Sequence, residues 1–316
     1  MTSALAHERT PLQGSGSGAG RRRPLSWPRI KRQLIPWFFV LPGLVLAVLF
    51  KFHPAVDGIW MSFQKVQPFL GNEWIGLQNY ADVLGDQRFI DAMEHTVLLA
   101  VGQTTGAVLL AFCLALLMEG ASRPLRWART AVFLPVVTAL AIIGEVWRIL
   151  LFPSESGFAN SVLSLFGLPT QQFLSDPSQA LWWVMMVGIW TAAPYNMIII
   201  MAGLVGIDRS LYEAAAMDGI TTRQRIWYIV LPALRPAISV VLTLAAIRSL
   251  RIFTEVYVLT GGGPAGATEV WMTRTFSLGF DSNNLGVASA ASVLLLLVTL
   301  ALTVATRAIT HRKETS

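Results

Sequence analysis

Six long apolar runs constrain this chain more than any other feature. They fall at about residues 33–52, 95–118, 130–151, 181–205, 237–260 and 287–308. Each approaches the ~20 residues a helix needs to cross ~30 Å of hydrocarbon. Backbone groups inside a bilayer must be satisfied within the protein, and the period-2 alternation of barrel strands is not evident, so the runs are expected as helices. The expected fold class is therefore an all-α membrane protein with six transmembrane helices. Composition agrees, since only 13% of residues are charged, roughly half the share usual in a soluble domain.

The formal charge of +6 could suggest a polyanion partner, so the placement of the 24 Lys and Arg residues decides the matter. Seven precede the first run, three lie between the second and third, four between the fourth and fifth, and three stand at or beyond the last turn of the sixth. The alternate loops hold only Lys51, Lys65, Arg88 and Arg274. Counted over short loops, this 17-to-4 asymmetry puts both termini in the cytoplasm and accounts for the basic balance without nucleic acid. Cys113 stands alone inside the second run, so no intramolecular disulfide is available, and the four scattered histidines show no metal spacing.

Residues 1–32 form a Gly/Ser/Arg/Pro-rich arm with too little apolar surface to fold, and are expected to be disordered. Residues 33–308 form the expected transmembrane domain, and 309–316 a cytoplasmic tail. No small-x-small cleavage site follows the first run, which is read as an anchor and not as a signal peptide. The loop from Lys51 to Glu94 is the longest on its side and is expected to form short interfacial helices.

Between the fourth and fifth runs lies the most informative stretch. Asp208 or Ser210 can cap a short helix through Met217, and Gly219 can take the left-handed conformation that ends it. Thr221 or Thr222 can cap a second helix that runs to Leu231, before Pro232. Apolar Leu211, Ala214 and Ala215 beside charged Glu213, Asp218 and Arg223 suit a protein interface, and spacing alone suits a solvated amphipathic loop equally well.

The stretch reads Glu213-Ala214-Ala215, three residues, Gly219, nine residues, Ile229, one residue, Leu231-Pro232. This order resembles the signature loop of importer permeases of the ATP-binding-cassette class. Gly76-Leu77-Gln78-Asn79-Tyr80, the set Trp147, Phe152, Gly157 and Asn160, and Leu259-Thr260-Gly261-Gly262-Gly263-Pro264 are similar to the carbohydrate-uptake branch, which contains the maltose and glycerol-3-phosphate permeases. The resemblance covers residues 33–308. It departs at His95, where many relatives have asparagine, and at Asp208, where many have proline.

The resemblance implies the importer permease fold, with a cytoplasmic coupling helix between spans four and five that carries Glu213, Ala214, Ala215, Asp218 and Gly219 as ATPase-coupling residues. It implies a second similar permease, two ATPase subunits and an extracytoplasmic solute-binding protein as partners, in the inner membrane of a bacterium. This chain would need no cofactor of its own, because ATP with magnesium is spent in the partner ATPase. It would form half of the path for a sugar, sugar-like or polyol-phosphate solute. The chain contains no G-x-x-x-x-G-K-[ST] loop, and Gly261, Gly263 and Gly266 lack the strand-turn-helix setting of a dinucleotide fingerprint. No catalytic cluster stands at workable spacing. A gradient-driven secondary transporter is the alternative.

Candidates for the solute path come from the costliest residues. Arg248, Arg251 and Glu255 fall inside the fifth run, where each charge costs about 2.5–3.5 kcal/mol. Spacings of three and four place them on one face of a continuous helix, with Arg251 and Glu255 able to pair; they either lock helix packing or meet a polar or anionic solute. In the fourth run, Trp190, Tyr195 and Asn196 flank Pro194, which frees a backbone carbonyl. Aromatic faces beside an amide suit a sugar, and ordinary packing explains the tryptophan and proline as well. Glu145 and Arg148 are expected to pair, and Gly102 and Gly106 to mark a close helix contact.

Overall fold

A computed structural model of the chain describes residues 27–67, 71–120 and 122–314. Residues 1–26, most of the arm expected to be disordered, lie outside the described residues, as do 315–316 at the end of the expected tail. Trp27–Arg32, counted with the arm from sequence, belong to a helix that starts with Pro28 in its first turn, where a missing N–H costs nothing.

The chain divides into two compact units at Ala55. The first contains helix α1 (Trp27–Ala47), which passes into a π turn at Val48–Phe52. Its described side chains from Pro36 onward are almost all exposed, including Trp37, Phe38 and Phe39. Helix α2 (His53–Met61) spans the boundary, and Pro36–Met61 is long and apolar enough to cross a membrane.

The second unit contains the packed core. Strands β1 (Gln64–Lys65) and β2 (Glu73–Trp74) pair antiparallel, with Gln64 opposite Trp74. Helix α3 (Gln78–Gly85) follows, and the buried Asn79 amide donates to the Ser62 and Gln64 carbonyls, tying the hairpin to it. This loop is therefore part hairpin and part helix, not a string of interfacial helices. Helix α4 (Gln87–Leu117) begins eight residues before the expected span because Asp86 caps it, accepting from the Arg88 N–H at 3.1 Å.

The third expected span is two helices. Helix α5 (Arg123–Val137) and α6 (Leu140–Leu150) meet at 102°. Pro135 sits in the last turn of α5, Thr138 and Ala139 are extended, and the Thr138 hydroxyl donates to the Leu134 carbonyl where a backbone N–H would have done so. After α7 (Phe158–Leu165), helix α8 (Ala180–Val205) runs unbroken through Pro194. Short helices α9 (Arg209–Met217), α10 (Thr222–Arg225) and α11 (Leu231–Ala233) lead to α12 (Arg235–Leu250), which bends 69° from the stretch before it. Helices α13 (Thr254–Leu259), α14 (Trp271–Phe276) and α15 (Leu285–Glu314) complete the chain. With no glycine or proline between Thr306 and Glu314, α15 carries helix through most of the expected tail.

Among the described residues, four helices are long and apolar enough to span, or up to six if each bent pair counts as one span. The core forms along the seam between α4 and α8. Val108, Ala111 and Ala115 of α4 share a buried cluster with Ala193, Met197 and Ile200 of α8. A Cβ at Gly102 would collide with the Met185 sulfur, and one at Gly106 with Ile189, so both glycines set the approach distance. Small residues matter here because lipid tails are as apolar as leucine, which leaves van der Waals packing to hold helices together.

Candidate functional site

The first candidate site is the α9–α10 loop. Asp208 caps α9 by accepting from the Ser210 N–H at 2.9 Å, and that bond holds its carboxyl below the usual aspartate value. At the other end, Asp218 N–H donates to the Ala214 carbonyl and Ile220 N–H to the Ala215 carbonyl. Closing that turn requires φ of +66° at Gly219, a region that residues with a Cβ enter at a cost. Thr221 then caps α10 reciprocally: its hydroxyl accepts from the Gln224 N–H while the Gln224 side chain accepts from the Thr221 N–H at 2.8 Å. Ala215 is buried, whereas Glu213, Ala214, Asp218 and Gly219 are exposed. Glu213 meets Arg209 at 3.2 Å, with both side chains largely in solvent, so the pair contributes little to stability. The five residues thus share one short element that projects Glu213 and Ala214 outward and anchors through Ala215.

Behind α9 lies an open cavity of about 540 Å³ lined in part by Glu119, Arg209, Tyr212 and Arg225. The Arg225 guanidinium stands 5.7 Å from the Tyr212 ring centroid. Burial, with the Glu119 carboxylate nearby, pushes the Tyr212 hydroxyl above its usual pKa.

The second candidate site lies where the fifth expected span breaks. Helix α12 ends at Leu250; the Arg251 and Ile252 N–H groups donate to the carbonyls of Arg248 and Ser249, and helix resumes only at Thr254. Arg248, Arg251 and Glu255 therefore do not share a face of one helix, and the expected Arg251–Glu255 pair does not form. The charges instead suit the break: arginines at the negative end of α12 and a glutamate in the first turn of α13. Arg248 lies over the Tyr195 ring, 4.6 Å from its centroid.

All three charged residues line one cavity of about 120 Å³, together with Gln103, Ser249 and Phe253. Gly188 and Ala192 form its α8 side, and Trp190, which is not among the lining residues, packs edge-to-face with Trp147 at 5.5 Å. Trp190 and Tyr195 are each about two-fifths exposed, whereas Asn196 is buried and its amide nitrogen has no partner among the described residues. The structure thus joins Tyr195 to the charged cluster through Arg248 and leaves Asn196 in the helix seam. Gln103 is a residue that sequence reasoning passed over. Its side-chain nitrogen is buried without a partner against Gly188, and the available signal was an amide in the middle of an apolar run.

At the far end of the same unit, the loop after α13 packs on α4. His95 Nδ1 is 2.9 Å from the Glu269 carbonyl, and Arg274 bonds Asp86 at 2.6 Å. Burial raises the Glu269 carboxyl above its usual pKa, opposed by Arg274. Gly261, Gly262 and Gly266 all have positive φ, but they follow a helix and not a strand, so the dinucleotide reading fails there too. Glu145 and Arg148 pair at 2.8 Å, as their spacing predicts. Among the described residues, no group of three or more His, Cys, Asp and Glu could hold a metal ion.

The sequence pattern described as "Binding-protein-dependent transport system inner membrane component" matches residues 32–315. The chain is 32% identical over 273 residues to the sn-glycerol-3-phosphate transport system permease protein UgpA of Agrobacterium fabrum, covering 86% of this chain and 92% of that one. It is 30% identical over 272 residues to the trehalose/maltose transport system permease protein MalF of Thermococcus litoralis, covering 85% and 90%. Among solved structures, a chain of a bacterial ABC transporter involved in the import of the acidic polysaccharide alginate superposes with a TM-score of 0.80 at 27% identity, covering 90% of this chain and 98% of that one.

Proposed function

Because the chain belongs to the family of binding-protein-dependent transport system inner membrane components, we propose that it forms one half of the solute path of an ATP-binding-cassette importer and is driven through its α9–α10 loop by a separate ATPase. The family consists of transport components and not of enzymes. The permeases for sn-glycerol 3-phosphate and trehalose/maltose support a sugar or polyol-phosphate solute for this chain. A bacterial alginate transporter of the same fold has been captured with a substrate-bound periplasmic protein, which supports an extracytoplasmic binding protein as a partner here. The charge asymmetry between alternate loops supports a cytoplasmic α9–α10 loop and cytoplasmic termini.

The observation that carries the coupling role is the form of that loop. It is a rigid element, capped at both ends and turned at Gly219, with Glu213 and Ala214 presented to solvent and Ala215 seated in the protein. When ATP with magnesium closes a pair of ATPase subunits, a helix held in each ATPase cleft is displaced as a body. Its caps keep it from deforming, so the displacement reaches α8 and α12 at its two ends and favours the alternate opening of the path. Small Ala214 permits close approach, and Glu213 offers a carboxylate to a basic partner at the cost of a weak exposed pair with Arg209. The second permease supplies the other half of the path, and bilayer lipid covers the remaining apolar faces.

The test is to tag the chain in its native membrane, solubilise it gently and identify the co-purifying proteins by mass spectrometry, comparing wild type with Gly219→Val. An ATPase, a second permease and a solute-binding protein are expected, with the ATPase depleted in the variant. Recovery of the chain alone, unchanged by the substitution, would overturn the importer reading in favour of a gradient-driven transporter.

A further inference from the structure

The polar cavity at the end of α12 carries more positive charge than its surroundings neutralise. Two guanidinium groups and one carboxylate line about 120 Å³. Glu255 lies near enough to Arg248 for their charges to interact. Arg251 has no ion-pair or hydrogen-bond partner for its side chain among the described residues, and it is exposed. A lock between helices would put Arg251 against Glu255; the break between α12 and α13 prevents the one-turn spacing that such a lock needs. The α12 dipole makes a cation tolerable at this depth, but it does not supply the two in-plane acceptors that a guanidinium fork is shaped to bind.

The remaining lining groups have complementary properties. The Gln103 amide nitrogen is buried at the cavity and lacks an acceptor. Phe253, stacked on Tyr257 at 5.1 Å, supplies an aromatic face in the lining, and Tyr195, outside the lining, holds the Arg248 guanidinium over its ring. Unused donors next to ring faces match a solute with a C–H face at one side and an acceptor-rich anionic group at the other.

We propose that this cavity is an anion-selecting point on the path, where Arg248 and Arg251 take the carboxylate or phosphate of a sugar-like solute and the Gln103 amide donates to it. This rests on the permease reading for the presence of a path, but the charge selectivity is measurable without it. Bidentate contact with Arg251 accounts for its unpaired fork, Glu255 keeps the site from holding the anion too tightly to release it, and neutral sugars leave the cation at Arg251 uncompensated and are disfavoured.

The test reads the local potential directly, so the solute need not be known. The full chain, purified with its co-purifying subunits in lipid nanodiscs, carries Thr254→Cys as a reporter at the cavity wall in a Cys113→Ser background. The rates of modification by a sulfonate-bearing and a trimethylammonium-bearing methanethiosulfonate of similar size are compared with the same pair on a free thiol in solution. The expected result is roughly a tenfold preference for the anionic reagent over its solution value, retained in Arg248→Lys/Arg251→Lys and lost in Arg248→Gln/Arg251→Gln. Equal or greater reactivity of the cationic reagent would overturn the proposal, as would a preference unchanged by the Gln variant or a cavity that neither reagent enters. If the glutamine variant fails to fold, the wild-type preference and the Lys variant decide alone. Anion preference without a co-purifying ATPase would sink the importer reading and leave the anion site standing; the reverse pattern would do the opposite.

Discussion

The α9–α10 loop and the α4–α8 seam are held in shape by opposite kinds of force. In the loop, each determinant lies within six residues of what it controls: Asp208 on Ser210, Thr221 on Gln224, and Gly219 on the turn between them. Most of its surface is exposed, and it could be redrawn residue by residue with little effect on the core. In the seam, Gly102 and Gly106 matter because of Met185 and Ile189, some eighty residues away in sequence. Gln103 likewise presses on Gly188. The loop is set by local rules and free to meet a partner, whereas the seam is set by distant contacts and is committed to the fold. Substitutions in the loop should therefore alter coupling and spare stability, and those in the seam should do the reverse.

The largest expected effect tests the seam. In Gly106→Val the new side chain meets Ile189 at less than contact distance, and α4 and α8 must part or shift rotamers. Overpacking of this kind costs about 3 kcal/mol, so the thermal midpoint of tryptophan fluorescence in detergent should fall well below that of Gly58→Ala, a helical glycine with nothing within 4 Å of an added Cβ. Equal midpoints would mean that the two helices do not depend on close approach, and the contrast with the loop would collapse.

What could be read in advance follows the same division. The GxxxG pair, the Asp208 cap and the Gly219 turn were legible because each signal sits in a short stretch of sequence with one physical meaning. The break after Leu250 was not, because a spacing of three and four implies a shared face only if the helix continues, and nothing between Arg248 and Glu255 is a glycine or proline. The bend at Thr138–Ala139 was hidden for a related reason: the run around Pro135 is apolar on both sides, and a proline in a long apolar run is compatible with an unbroken helix, as Pro194 in α8 demonstrates. The β1–β2 hairpin depends on Asn79, which reaches back 15 and 17 residues to the Gln64 and Ser62 carbonyls. The polar cavity was half legible: its charges were evident, but their relation to Gln103, nearly half the chain away from any of them, is a property of the packing.

A smaller effect sharpens the contrast on the loop side. A β-branched residue at Gly219 must enter the left-handed region, at roughly 1–2 kcal/mol, while asparagine visits it readily. No atom stands within 4 Å of an added Cβ there, so backbone strain is the only cost. Gly219→Val should lower the ATPase recovered with the chain several-fold while leaving its thermal midpoint close to wild type, and Gly219→Asn should retain most of that recovery. If Val and Asn behave alike, bulk at a docking surface and not the turn geometry is what matters, and the loop is less locally determined than its hydrogen bonds suggest.

The smallest effect concerns the first turn of α9 alone. Asp208→Ala removes the acceptor for the Ser210 N–H, so hydrogen exchange at Ser210 and its immediate neighbours should speed up while protection in α8 stays the same. Asp208→Asn keeps a side-chain oxygen and should restore most of the protection. The pH dependence has a fixed sign. Because the Ser210 hydrogen bonds hold the folded carboxyl below its usual value, the stabilisation by the cap is present above the unfolded pKa and is lost only as pH falls through the lowered folded value. The loss of wild-type protection, corrected for intrinsic exchange, should thus have its midpoint below about pH 4, where an unshifted aspartate would be close to half protonated. A midpoint at or above that pH would show that the carboxylate is not held by the backbone, and that α9 depends on a contact outside its own sequence, as the seam does.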